Sequence, residues 1–168
     1  MELSDVILTG TSWNKAVDKL LFMFDSKSPA RYKLYMLALS IGIMYDQRIE
    51  KPEGSEEEAK SIIGRNVFFT HDNGKLDFMF QAAILSSATV QYTEEERLAY
   101  AFGEKSDLKK LDFLTQFANF GVTKLVEQIG DSPLESMENI KNFLFSTVEG
   151  RNLEIESLSD DILLEDDF

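Results

Sequence analysis

The stretch from Pro29 to Pro52 constrains the fold of this chain more than any other, because most of it is one dense apolar run. Ser28 and Pro29 are typical of a helix start: a hydroxyl that caps free backbone N–H groups, then a ring already fixed at a helical φ. Apolar residues then recur on nearly every side of the helix as far as Tyr45, and such a helix is normally buried by others. The sequence therefore predicts a central buried helix over 29–45.

Composition and charge exclude several classes of function. The chain has 168 residues, 43% of them hydrophobic, which is enough for one domain with a proper core. A net charge of −13 disfavours general attraction to nucleic acid or to an anionic membrane. The central apolar run is too short to span a bilayer, and the absence of Cys removes disulfides and thiolate sites. We therefore expect no cofactor, no metal site, no direct nucleic-acid binding and no membrane partner.

Periodicity and capping signals predict about seven helices, so the predicted fold class is all-α. The predicted arrangement is a single compact bundle over 1–150, followed by an acidic C-terminal tail over 151–168. Short extended or β-prone pieces are expected only at 6–8 and 67–69. The predicted helices cover about 11–24, 29–45, 55–63, 75–89, 93–103, 106–129 and 132–148.

Two glycines interrupt the longest predicted helices. Gly42 lies inside the central helix, where it indicates either the close approach of a neighbouring backbone or a weak point near the helix end. Gly121 lies inside the helix over 106–129 and predicts a kink there.

Two segments together resemble a known family. The first is KLYMLALSIGIMYDQRIEKPEG, and the second is FLTQFANFGVTKLVEQI, in which residues 117–121 resemble an aromatic-Ala-Asn-Gly-Gly motif. In order and spacing, residues 30–130 resemble the Dnd system-associated (DNA phosphorothioation-associated) protein 4 family, although Phe120 stands where the family has Gly and the loop after Arg48 differs. The resemblance implies a small helical protein encoded beside bacterial DNA-modification and anti-phage genes. It carries no catalytic residue over to this chain.

Few residues have the chemistry of a catalytic site. His71 is the only histidine, and its position in a predicted turn is typical of a solvated side chain. Glu58 and Lys60 match an E-x-K nuclease pattern, but that chemistry needs strands, and here the triplet opens a predicted helix. The acidic triplets 56–58 and 94–96 fit the first turns of helices better than magnesium sites. Three bases without an accompanying glycine or aromatic pattern are interpreted as surface charges rather than an anion site: Arg48, Lys51 and Arg65.

The last eighteen residues carry the strongest interaction signal. They contain seven acidic residues and one base, interleaved with seven large apolar residues. Because exposing so many apolar side chains is costly, this alternation favours a segment that orders against a basic, grooved partner. A segment folded onto its own body and a solvated tail remain alternatives. The predicted partner-binding residues are Asp160, Asp161, Ile162, Leu163, Leu164, Asp166, Asp167 and Phe168.

The end of the chain also resembles the acidic tips of bacterial single-stranded-DNA-binding proteins. Those tips finish in Asp residues and a C-terminal Phe that partner proteins capture, and Phe168 follows Asp166 and Asp167 here. The Pro that usually precedes the Phe is replaced by Asp167. The resemblance therefore implies capture by a protein partner, with the identity of the pocket left open.

The sequence predicts a non-catalytic accessory or adaptor subunit of a bacterial anti-phage defence complex, acting through protein–protein interaction and not as an enzyme. The acidic N-terminus lacks the basic region of a secretion signal, so we expect the protein in the cytoplasm. The alternative is an acidic DNA mimic or inhibitor that binds a basic nucleic-acid-binding protein, which the negative charge permits. Binding that collapses as salt rises would favour that alternative.

Overall fold

A computed structural model describes residues 3–24, 29–56, 61–103 and 108–162, with side chains described as far as Thr147. Within these ranges the chain forms seven α-helices and one small antiparallel sheet, so the predicted all-α fold is confirmed. In chain order the elements are β1 (Val6–Leu8), α1 (Thr11–Leu20), a 3-10 turn (Leu21–Met23), α2 (Ala30–Tyr45), β2 (Ser61–Ile63), α3 (Arg65–His71), α4 (Lys75–Ser86), α5 (Glu94–Phe102), α6 (Lys110–Val126) and α7 (Pro133–Ile162).

The chain separates into two compact units. The first is Met1–Glu127 and holds β1 to α6, and the second is Gln128–Phe168 and holds α7. The predicted boundary at residue 150 falls inside α7 and stays a prediction. Among the described residues, no helix is both long enough and apolar enough to cross a membrane.

The core of the first unit is built on α2 and α6, whose backbones touch through two glycines. A side chain at Gly42 would overlap the backbone of Phe117 on α6. A side chain at Gly121 would overlap the carbonyl of Ala38 on α2. The close approach predicted from Gly42 is therefore confirmed, and Gly121 makes the reciprocal contact from within one continuous helix.

Aromatic rings fill the space beside this contact. Trp13 of α1 stacks on Tyr35 of α2, with ring centroids 6.4 Å apart. Phe68 of α3 meets both Tyr32 and Tyr35 edge-on, at 5.8 and 6.2 Å. Edge-on pairs of this kind add to the stabilisation from burial alone. These contacts explain why α2 is apolar on most of its sides: α1, α3 and α6 each cover part of it.

The helix predicted over 55–63 is wrong at residues 61–63, which form strand β2. This strand pairs with β1, and Ile62 lies opposite Ile7. Burial alternates along it: Ser61 and Ile63 are buried, whereas Ile62 is exposed. The β-branched Ile side chains suit a strand, and pairing with a segment more than fifty residues earlier overrode the local capping signal.

The β-prone piece predicted at 67–69 is also wrong, because these residues lie within α3. The helical period turns Phe68 inward, where it is 1% exposed, and leaves Phe69 outside. The burial of the Phe68 ring against Tyr32 and Tyr35 therefore favours the helical conformation of residues 67–69.

Two of the predicted helix starts are confirmed by their hydrogen bonds. The Thr93 hydroxyl accepts from the Glu96 N–H at 3.2 Å, and the Glu96 carboxylate accepts from the Thr93 N–H at 2.9 Å, which completes a capping box. At the start of α7 the Ser132 hydroxyl accepts from the Glu135 N–H at 3.2 Å. The end of α7 was predicted too early, because Gly150 weakens a helix without stopping it.

Candidate partner-binding surfaces

The predicted partner-binding residues of the C-terminal segment lie at or beyond the end of the described chain. Asp160, Asp161 and Ile162 form the last turn of α7. Leu163, Leu164, Asp166, Asp167 and Phe168 lie outside the described residues. Their assignment to a partner-binding segment stays a prediction, as does the interpretation of the E-x-K triplet at 58–60.

The other sequence candidates lie on separate elements. His71 is exposed at the end of α3. Lys51 is exposed and pairs with the exposed Glu56 at 2.6 Å. Arg65 lies over the ring of Phe69, 5.5 Å from its centroid. In the parts of the chain that the structure describes, no three His, Asp or Glu side chains gather as a metal site would require.

Arg48 has a packing role that sequence reasoning missed. Its guanidinium lies 5.3 Å from the ring centroid of Phe113 and 5.6 Å from that of Phe117, both on α6. Its Nη2 group also donates to the Thr89 carbonyl at 3.3 Å. Arg48 therefore connects the loop after α2 to α6 and to the loop after α4. Its contacts with the two rings combine stacking with cation–π attraction.

A buried bridge joins α1, α6 and the loop after α2. The Trp13 indole N–H donates to Asn119 Oδ1 at 2.8 Å, and Asn119 Nδ2 donates to the Ile49 carbonyl at 3.0 Å. Trp13 and Asn119 are both buried. Because buried polar atoms must be paired, this bridge has a structural explanation and does not require a ligand.

Asp46 fastens the loop that follows α4. Its carboxylate accepts from the Ala88 N–H at 2.8 Å and from the Thr89 N–H at 3.2 Å. Partial burial raises the pKa of Asp46, but hydrogen bonds from Ser87, Ala88 and Thr89 together outweigh that effect and hold the pKa below its usual range. The residue has a positive φ of 51°, a conformation that Asp tolerates better than most residues.

Arg97 of α5 holds the other side of the same loop. Its guanidinium donates to the carbonyls of Ser87 and Val90, each at 2.6 Å, and to that of Tyr92 at 3.1 Å. A weaker contact of 3.4 Å reaches the Leu85 carbonyl at the end of α4. Three carbonyls of the connection and one at the end of α4 therefore converge on one cation, which fixes the geometry of the α4–α5 pair.

The α4–α5 pair presents apolar side chains to solvent. Phe78 and Leu85 of α4 are 71% and 38% exposed, and their spacing of seven residues places them on one side of that helix. Leu98 and Phe102 of α5 are 47% and 68% exposed and lie one turn apart. We call these four residues the helical face. The two helices are joined by the hydrogen bond from Gln81 Nε2 to the Ala101 carbonyl, at 3.2 Å.

A second surface is a groove of about 330 Å³ where β2 meets the start of α2. Its buried floor includes Tyr32 and Ile63. We call this region the groove surface. Its walls come from the 3-10 turn, the start of α2, β2 and α3, and include Leu21, Pro29, Ala30, Arg31, Ile62 and Val67.

No protein-family model matches this chain, and no curated protein or solved structure matches it either.

Proposed function

We propose that this protein is a non-catalytic accessory subunit that binds another protein through the helical face. The observation that carries the proposal is the exposure of Phe78 and Phe102, which are 71% and 68% accessible on neighbouring helices. Scattered apolar residues on a surface need no explanation, but two phenylalanines and two leucines on one helix pair are typical of a protein-binding patch. Aromatic residues are also enriched at the centres of such interfaces.

The helical face rests on a rigid support. The Arg97 and Asp46 hydrogen bonds fix the connection between α4 and α5, so little conformational freedom is lost when a partner binds. Burying an aromatic side chain fully contributes about 1.5–3 kcal/mol. The burial of Phe78 and Phe102 against a partner would therefore contribute enough free energy for a specific contact.

Glu94 and Glu95, at the start of α5, are exposed near the apolar residues of that helix. An apolar centre beside acidic side chains would fit a partner surface that is apolar with basic residues at its edge. The proposed partner is therefore a protein with a basic-rimmed apolar patch.

The proposed setting is a bacterial anti-phage defence complex in the cytoplasm. The resemblance of residues 30–130 to the Dnd system-associated protein 4 family supports this setting.

The test is quantitative co-purification of the full chain with the products of its neighbouring genes. The variant Phe78→Ser with Phe102→Ser should lower partner recovery at least about tenfold, because the lost apolar burial exceeds 1.4 kcal/mol. The matched control is Phe145→Ser, an exposed helical phenylalanine of α7, which should leave recovery unchanged. Equal recovery by the wild type and the double variant would refute the proposal.

The salt dependence of the same recovery tests the acidic-mimic alternative. Binding through the helical face should weaken only modestly between low and moderate salt, because Glu94 and Glu95 contribute less than the buried phenylalanines, whereas binding by distributed carboxylates should weaken steeply. A steep loss with salt, together with no effect of the serine variants, would favour the mimic instead.

A further inference from the structure

Residues 72–75 form a tight turn between α3 and α4. The Lys75 N–H donates to the Asp72 carbonyl at 3.1 Å, and both central residues have positive φ, 52° at Asn73 and 79° at Gly74. These signs of φ define a type I′ turn, which Asn-Gly pairs favour. Asn73 and Gly74 are both exposed, and a Cβ at Gly74 would meet no atom of the described residues within 4 Å. Solvent therefore reaches the centre of this turn.

The two groups at the centre of the turn can react with each other. Among the described residues, neither the Asn73 carboxamide nor the Gly74 N–H has a hydrogen-bond partner. The amide nitrogen of Gly74 and the Cγ carbon of Asn73 belong to adjacent residues, so attack of the first on the second closes a small ring. Intramolecular attack of this kind is strongly favoured over attack from solution. Gly74 has no side chain to obstruct it.

The other asparagines of the chain provide a contrast. Each of them lies inside a helix and precedes a residue that has a side chain. Asn66 of α3 is the best comparison, because it is exposed as Asn73 is. The N–H of the following residue, Val67, donates to the Gly64 carbonyl at 2.9 Å. Attack at Asn66 would have to break that hydrogen bond and pass a β-branched side chain.

We propose that Asn73 is a site of spontaneous modification, at which the Gly74 nitrogen attacks Asn73 Cγ and water completes the conversion to isoaspartate. Gly74 N loses its proton to solvent and bonds to Cγ, while the Cγ–Nδ2 bond breaks and Nδ2 takes up a proton and leaves as ammonia. Water then opens the resulting succinimide at either carbonyl, which yields isoaspartate or aspartate. Water is the only co-reactant, and nothing is oxidised or reduced.

Isoaspartate at position 73 would lengthen the main chain inside the turn, because the chain then passes through the former side chain. The Asp72 carboxylate depends on the length of this segment. It accepts from the Leu76 N–H at 3.1 Å and from the Tyr32 hydroxyl at 3.0 Å, so it links the start of α4 to α2. A longer path from Asp72 to Leu76 should therefore weaken the Leu76 hydrogen bond. None of these residues belongs to the helical face, so the inference is independent of the proposed function.

The first experiment is incubation of the purified full chain at physiological temperature and mildly alkaline pH, followed by peptide mapping with mass spectrometry. The peptide that holds Asn73 should gain the mass difference between Asp and Asn at least about tenfold faster than the peptide that holds Asn66. Electron-transfer fragmentation should identify part of the product as isoaspartate. The same chain in denaturant sets the time scale for an unhindered Asn73.

Three results would overturn the proposal. The first is an Asn73 that stays intact in the native chain while the denatured chain is converted. The second is conversion of Asn66 at the same rate as Asn73. The third is conversion of Asn73 to aspartate alone, because direct hydrolysis of the carboxamide would then account for the product without the Gly74 nitrogen.

Amide hydrogen exchange tests the structural consequence. In the fraction of the chain that carries isoaspartate at position 73, the Leu76 N–H should lose protection at least about tenfold relative to the fresh chain. Asn73→Asp is the matched control, since it adds a carboxylate and tolerates positive φ without lengthening the main chain. Its Leu76 N–H should stay protected. Unchanged protection in the modified chain, or an equal loss in Asn73→Asp, would overturn the inferred effect of main-chain lengthening.

Discussion

The α2–α6 contact and the α4–α5 pair both contain phenylalanines, but the rings are buried at the first and exposed on the second. In the first, Gly42 and Gly121 bring two backbones together, and the surrounding rings are buried. In the second, Arg97 and Asp46 fasten the connecting loop by hydrogen bonds, and Phe78 and Phe102 face outward. Whether a phenylalanine stabilises the fold or is available to a partner therefore depends on the backbone packing around it, and not on its own chemistry.

This comparison predicts that substitutions at the α2–α6 contact lower the free energy of unfolding strongly, and that substitutions on the helical face do not. Substitutions at the α2–α6 contact must disturb packed backbone, which cannot yield as a flexible side chain can. Substitutions on the helical face remove atoms that touch mainly water. The predictions below test that difference, beginning with the largest expected effect.

Gly121→Ala should destabilise the protein by about 3 kcal/mol or more, because its methyl group would overlap the Ala38 carbonyl. Chemical denaturation at fixed pH measures the loss. Gly64→Ala is the matched control: no atom of the described residues lies within 4 Å of the added methyl group, so a change below about 1 kcal/mol is expected. Similar losses at both positions would show that the α2–α6 backbone contact is not special.

Asn119→Leu should cost about 2–3 kcal/mol, since it leaves both the Trp13 indole N–H and the Ile49 carbonyl without their partner. The double variant with Trp13→Phe should lose less than the sum of the two single changes, because the orphaned donor is then absent. Strict additivity of the two unfolding free energies would contradict the bridge.

Asp46→Asn should cost about 1 kcal/mol at neutral pH, since it weakens the bonds to Ala88 and Thr89 while keeping a residue that tolerates positive φ. The pKa of Asp46 is lowered in the folded state, so its contribution is present at neutral pH and is lost as the pH falls through the folded pKa. The difference between wild type and variant should therefore shrink in acid. A difference independent of pH would contradict the role of the carboxylate charge.

Phe78→Ser and Phe102→Ser should each change the free energy of unfolding by less than about 0.5 kcal/mol, since both side chains are mostly exposed. Thermal or chemical denaturation of the purified chain measures this. A loss of about 2 kcal/mol from either change would place the residue in the core and would remove the helical face from the account.

Local sequence signals predicted the longer helices and the extended piece at 6–8, and were wrong for β2 and α3. The Thr93 capping box and the density of apolar residues in α2 are each contained within a few residues, so they can be read directly from the chain. The predicted Ser28 cap lies outside the described residues, and Pro29 occupies the N-cap position of α2 instead of its first helical position. The pairing of β1 with β2 joins segments more than fifty residues apart, and nothing local in SII distinguishes a strand from a helix turn.

The candidate surfaces were less predictable for a related reason. The helical period does predict that Phe80 is buried and Phe78 is not, because Leu76, Phe80, Ala83 and Ile84 form one apolar stripe. Which helix packs beside α4 is a tertiary property, so its pairing with α5 could not be read from the sequence. The role of Arg48 was missed because its ring partners and its acceptor lie on distant elements. Arg97 binds carbonyls only five to twelve residues before it, but no local pattern specifies the conformation of that loop.

The most direct test of the helical face is photo-crosslinking in the native cells, with p-benzoylphenylalanine placed at position 78 or 102 and, as a control, at position 145. The account predicts one discrete cross-linked protein shared by positions 78 and 102 and absent from position 145. Cross-linking at position 145 alone, or at none of the three positions, would contradict it.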